Sequence, residues 1–90
     1  MLIEFDPIKN EENIRVRKLD FAQAANFDFS SALIAEDTRK AYPERRFQAL
    51  GFLGERLHML VFTPIDGGIR VISFRRANPR EVRRYAKARS

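Results

Sequence analysis

Between residues 45 and 75 the chain alternates apolar and polar side chains, and two glycine-bearing turns cut that alternation into three pieces. Arg45 to Phe52 sets Phe47, Ala49 and Gly51 on one side and Arg46, Gln48, Leu50 and Phe52 on the other, the period-two signature of a strand. Leu53-Gly54-Glu55 closes it in a tight hairpin turn. Arg56 to Thr63 is the next strand, broken by Pro64. Asp66-Gly67-Gly68 is the strongest turn signal in the chain, because glycine supplies the positive φ that tight hairpins need. Ile69 to Arg75 forms the last strand, with Ile69, Val71, Ser73 and Arg75 against Arg70, Ile72, Phe74 and Arg76. The centre of the chain is therefore a meander of hairpins.

The flanks are helical. Leu2, Ile3 and Phe5 read as a short first strand, and Asp6-Pro7 then starts a helix by capping and a pre-set first residue. Ile8 and Ile14 are the expected apolar anchors of that helix. A second start follows at Asp20, with Gln23 three residues on and Phe21, Ala24 and Phe27 as its buried stripe, ending at Ser30-Ser31. Ala32 to Glu36 reads as a strand and Asp37 to Pro43 as a polar connection. Asn78, Pro79 and Glu81 make the clearest helix start in the chain, and Val82 and Tyr85 share the expected packing face of the closing helix. The pattern β-α-α-β-β-β-β-α predicts one α+β domain over residues 1–90. Its expected architecture is a mostly antiparallel sheet of four to five strands, with two N-terminal helices and one C-terminal helix covering one face.

Composition narrows what such a domain can do. Size scaling allows burial of about 64% of a 90-residue chain's surface, enough for one modest core. Cysteine is absent, which removes disulfides, thiol nucleophiles and thiolate metal sites. No apolar run approaches membrane-spanning length, and the first residues lack the basic leader of a signal peptide. The 17 bases exceed the 12 acids, and their placement says more than their sum. Residues 1–69 carry a balance of −2, whereas residues 70–90 carry +7 with Glu81 as their one acid. Thirteen of the bases are arginine, suited to bidentate contacts with phosphate or carboxylate. An arginine-rich end on a near-neutral body suggests a surface for a polyanion or an acidic protein.

Few chemistries fit these residues. One histidine and no metalloprotease motif argue against a metal site, and Asp6, Asp20 and Glu81 are explained by capping. No phosphate loop or dinucleotide signature is present, so no cofactor is expected. Metal-free RNA cleavage fits better: a ribose 2′-hydroxyl attacks the adjacent phosphate, and cations stabilise the developing charge. Arg46 and Arg75 are candidates for that task, with Arg70, Arg76, Arg80 and Arg84 as further phosphate contacts. His58 is the one side chain with an ordinary pKa near neutrality, and its strand position makes it either a proton-transfer group or a packed core histidine. Tyr85 either orients a phosphate or packs beside Val82. Most of the eight phenylalanines fall at core spacing, so no ring is assigned to base stacking.

The same residues carry a family resemblance. Phe5-Asp6-Pro7-Ile8-Lys9 with Asn13 resembles the opening of the BrnT toxins, and Phe21-Ala22-Gln23-Ala24 continues it. Glu44-Arg45-Arg46-Phe47 with Leu50-Gly51 resembles the family's middle motif. Arg70 to Ala77 resembles its last strand, followed by Glu81 and Tyr85 of the closing helix. The family usually has Lys-His-Gly where this chain has Val16-Arg17-Lys18, and a guanidinium at Arg17 does not replace an imidazole in proton transfer. The resemblance implies a RelE-like fold and a cytoplasmic endoribonuclease toxin that arrests translation. It also implies a BrnA-like ribbon-helix-helix antitoxin as partner, which brings the complex to promoter DNA. Lys9, Asn13 and Arg17 would then line the RNA groove from the first helix. A nonenzymatic nucleic-acid-binding or antitoxin-partner protein derived from such a toxin is the alternative.

Overall fold

The computed structural model describes all residues 1–90. In chain order the elements are strand β1 (Leu2–Glu4), helix α1 (Pro7–Arg17), a 3₁₀ segment (Phe21–Asn26), strands β2 (Leu33–Glu36), β3 (Phe47–Leu53), β4 (Arg56–Ile65) and β5 (Gly68–Arg76), and helix α2 (Pro79–Arg89). The five strands form one sheet in the order β1-β5-β4-β3-β2. The meander from β2 to β5 is antiparallel, while β1 runs parallel to β5, so the sheet is mixed. Both glycine turns behave as their sequence demands, with φ of +62° at Gly54 and +78° at Gly67. Gly68 already belongs to β5: a Cβ there would run into the backbone of Leu2, so its bare backbone admits β1 alongside. No helix is long and apolar enough to cross a membrane.

Strand β4 runs through Pro64 instead of stopping before it. β3 begins only opposite Phe62, so the stretch from Thr63 onward has a partner strand on one side alone, where proline is tolerated. A second departure matters more for function. The pairing of β4 with β5 shifts between Val61 and Phe62, which oppose Ser73 and Val71 and leave Ile72 as an extra residue. Because side chains alternate faces, this bulge reverses the facing of every residue beyond it. Ile69, Val71 and Phe74 therefore share the larger core, while Ser73 and Arg75 turn to the opposite face, contrary to the uninterrupted alternation expected for residues 69–76.

The larger core joins Ala49, Leu60, Phe62, Ile69, Val71 and Phe74 of the sheet to Phe21, Ala24 and Phe27 of the 3₁₀ segment. Phenylalanine rings meet edge-on at Phe5–Phe21, Phe27–Phe74 and Phe29–Phe62. The expected second N-terminal helix is this six-residue 3₁₀ segment. Its first donors are taken by side chains, Phe21 N–H by Asn10 and Ala22 N–H by Asp20, and its last residue gives way to extended Phe27, which bridges to Leu53. No length remains for an α-helix.

Helix α1 also departs from expectation. Its buried residues are Asn10 and Asn13, while Ile8 is 76% and Ile14 39% exposed. The helix runs beside the edge of β5 that the three-residue β1 leaves uncovered, and such an edge requires hydrogen-bond partners more than apolar ones. Asn13 Nδ2 donates to the carbonyls of Phe74 and Leu19 at 3.0 and 2.9 Å. Asn10 Nδ2 donates to Asp20 while its Oδ1 receives Phe21 N–H.

The helices do not share one face of the sheet. α2 lies on the side opposite the 3₁₀ segment, over a smaller cluster of Leu50, Leu57 and Met59 flanked by Phe52, Ala77 and Tyr85. Only Glu81 of α2 is buried, and Val82 is 46% exposed rather than packed. The accessible surface of 6,065 Å² exceeds the roughly 5,400 Å² expected for this mass, consistent with so light a docking.

Candidate functional site

Light docking of α2 leaves a cleft of about 500 Å³ between this helix, the sheet and the loop before β3. Met59 and Val61 form its floor, and arginines reach it from three segments, Arg39 and Arg46 from the loop before β3, Arg75 from β5 and Arg84 from α2. Two carboxylates face the same space, Asp37 and Glu81, and each is committed to a guanidinium. Arg39 holds Asp37 through Nε and Nη2 at 2.9 and 2.8 Å. Arg75 holds Glu81 in a fork, with Nη1 and Nη2 donating at 2.8 and 2.9 Å. These contacts, foremost the hydrogen bonds from arginine, hold the Asp37 carboxyl well below the usual carboxylate range and lower that of Glu81, so both are anionic at neutral pH.

Glu81 has a second task. Its carboxylate receives Asn78 N–H at 2.9 Å, and Asn78 Oδ1 receives Glu81 N–H at 2.8 Å, which completes the capping box read from the sequence. One side chain thus starts α2 and ties it to β5.

Arg46 is differently placed. Its guanidinium lies 4.2 Å from the centroid of the Tyr42 ring, its Nε is buried without an acceptor, and no carboxylate pairs with it. Stacking fixes the plane while leaving the terminal nitrogens unpaired. Arg84 has no ion-pair partner either. The cleft therefore offers two uncommitted guanidiniums, Arg46 and Arg84, beside two, Arg39 and Arg75, that each already carry a carboxylate.

A second cleft, about 660 Å³, lies where the C-terminal end of α1 meets the start of β4 and the end of β5. Arg17, Lys18, Arg56 and Arg76 line it, none in an ion pair, and no acid lines it. His58 contributes to its wall and Arg75 belongs to both clefts. His58 lies opposite Arg76 in the sheet register, 5% exposed, with its ring 5.5 Å from that of Phe74. Its Nδ1 is 2.8 Å from the carbonyl of Arg56, which fixes the neutral tautomer with Nδ1–H donating and Nε2 left as an acceptor. Burial, then the charges of Arg76 and Arg56, lower its pKa below the ordinary value, so the ring is neutral at pH 7.

The remaining candidates are dispersed. Lys9, Asn13 and Arg17 border a third groove, between α1 and β5, where Asn13 is occupied in holding β5. Arg70 pairs with Glu4 at 2.7 Å near the other end of β5. Tyr85 lines neither cleft; its hydroxyl donates to the carbonyl of Ser31 at 2.9 Å and its ring meets Phe52 edge-on. Arg80 is exposed on the first turn of α2 and lines neither cleft. Sequence reasoning missed Asp37, Arg39 and Tyr42 because a connection without periodicity gives no facing. It missed Lys18 and Arg56 because neither belongs to a pattern that shows the ends of α1 and β5 meeting the start of β4.

No protein matches the chain in a comparison with curated sequences. A family model described as the ribonuclease toxin BrnT of type II toxin–antitoxin systems matches residues 5–81, a span that includes both clefts apart from Arg84. The chain accordingly belongs to the BrnT family of ribonuclease toxins.

Proposed function

We propose that this toxin cuts RNA without a metal ion, with the scissile phosphate against Arg75, the wall shared by the two clefts. Arg46 and Arg84 stand on one side of that wall and His58 on the other. In-line attack by the 2′-oxygen forms its bond to phosphorus as the bond to the 5′-oxygen breaks. The products are a 2′,3′-cyclic phosphate and a 5′-hydroxyl. Arg46, Arg75 and Arg84 oppose the charge that builds on the phosphoryl oxygens. His58 Nε2 accepts the 2′-hydroxyl proton from its side of the wall, and water protonates the 5′-oxygen as it leaves on the opposite side of phosphorus. Metal independence is supported by the commitment of both cleft carboxylates to arginine.

Translation arrest, a RelE-like relationship, cytoplasmic action and neutralisation by a BrnA-like ribbon-helix-helix antitoxin that brings the complex to promoter DNA complete the proposal. The single observation carrying it is that Arg75 joins the cleft holding uncommitted guanidiniums to the cleft holding the neutral imidazole.

The test is end-labelled RNA incubated with free, folded protein in excess EDTA. Cleavage is expected, with Arg46→Ala and Arg75→Ala each lowering kcat by about 10²–10³-fold. Intact RNA at concentrations that saturate binding overturns the catalytic claim. It would favour the second reading, a nonenzymatic RNA-binding protein, to which the guanidinium of Arg17 at the family's histidine position already points.

A further inference from the structure

The second cleft carries more charge than a single scissile phosphate requires. Arg17, Lys18, Arg56 and Arg76 come from the end of α1, the start of β4 and the end of β5, and the fold pairs none of them with an acid. Five arginines, Arg15, Arg39, Arg45, Arg70 and Arg75, do have an acid as partner, and of these only Arg75 touches this cleft. Four like charges around one concavity repel each other, and the nearby His58 shows the effect, since Arg76 and Arg56 both disfavour its protonation. A surface that keeps such repulsion gains most from a ligand bearing several negative charges in sequence.

We infer that this cleft is a second phosphate site, which holds the RNA backbone flanking the bond proposed for cleavage and so sets a minimum substrate length. The inference rests on the proposed cleavage site, because Arg75 is the point where the two stretches of backbone join. Single-stranded RNA suits the geometry, because a flexible backbone can follow the bend around Arg75 from one cleft into the other. Arg56 and Arg76 are exposed and free of ion pairs, so replacing them should cost the fold little and leave binding as the readout.

Binding of fluorescent 2′-O-methyl RNA, which lacks the attacking hydroxyl, measures this directly by anisotropy across a salt series. For a ten-nucleotide RNA, Arg56→Ala with Arg76→Ala is expected to weaken binding severalfold. The slope of log K against log salt should become shallower by about 0.7 for each phosphate that the variant no longer neutralises. For a dinucleotide that fills only the first cleft, the same pair should change nothing. Arg83→Ala, on the exposed side of α2 and lining neither cleft, is the control and should leave both RNAs unaffected.

An unchanged slope on the long RNA, with binding still sensitive to Arg46→Ala, overturns the second site and leaves the first standing. Variants that lose affinity for the antitoxin but not for RNA overturn it as well, and assign the cleft to a protein. If the wild-type protein binds neither RNA, the proposed function falls together with this inference.

Discussion

Replacing Glu81 by glutamine separates two quantities that usually move together. The carboxylate is nearly buried and receives three hydrogen bonds, two from Arg75 and one from Asn78 N–H. Glutamine keeps the capping contact and one neutral bond to Arg75 but loses the ionic fork. Hydrogen bonds to charged groups are each worth about 1.5–3 kcal/mol. The Arg75 side chain is 33% exposed, so water screens the pair and replaces part of that interaction. The expected cost is about 1–2 kcal/mol, a fall in Tm of about 4–16 °C for a domain of this size.

RNA affinity should move the other way. With Glu81 neutral, Arg75 presents its full charge to the cleft, and anisotropy with non-cleavable RNA should show severalfold tighter binding at low salt. The stability difference also has a pH signature. Arg75 depresses the Glu81 pKa below 4.5, so the ionic contribution is complete above about that pH and disappears as pH falls through the folded value. Wild-type and Glu81→Gln melting temperatures should therefore converge in acid. Binding that is unchanged or weaker in a folded Glu81→Gln protein would refute the placement of phosphate against Arg75.

Two further outcomes test individual assignments. Asn13→Ala strips partners from the carbonyls of Phe74 and Leu19 and should cost about 2–4 kcal/mol by urea unfolding. RNA affinity of the folded protein should not change; the reverse pattern would make Asn13 an RNA contact. His58 is held neutral by burial, so stability should be complete above pH 6.5, the ordinary value. It should decline below that as the unfolded chain takes up a proton the fold resists. Urea midpoints measured from pH 7.5 to 5 should show this decline in the wild type, and its persistence in His58→Gln would assign it elsewhere.

Much of the fold was legible locally. Gly54 and Gly67 mark turns because few other residues adopt positive φ, and Asn78-Pro79 with Glu81 marks a helix start because the cap and its partner lie three residues apart. The charge asymmetry singled out the C-terminal end from residue types alone. The same local rules misjudged α1, where capping correctly placed the start at Asp6 but aliphatic residues were assigned to the core. What α1 faces is the edge of β5, a strand more than fifty residues further along the chain, which the short β1 leaves partly bare.

The site was less legible for a related reason. Arg46, Arg75 and Arg84 were each singled out, yet nothing along the chain shows that they share a cleft while Arg70 and Arg80 do not. That outcome depends on the bulge at Ile72, which turns Arg75 away from Phe74's neighbours and toward α2. Sequence alone determined where strands turn, where helices begin and which end is basic, because those properties follow from the φ, hydrogen-bonding capacity and charge of residues close in the chain. Only the tertiary structure decided which face each arginine occupies, because register and facing are set by packing between strands and helices that are distant along it.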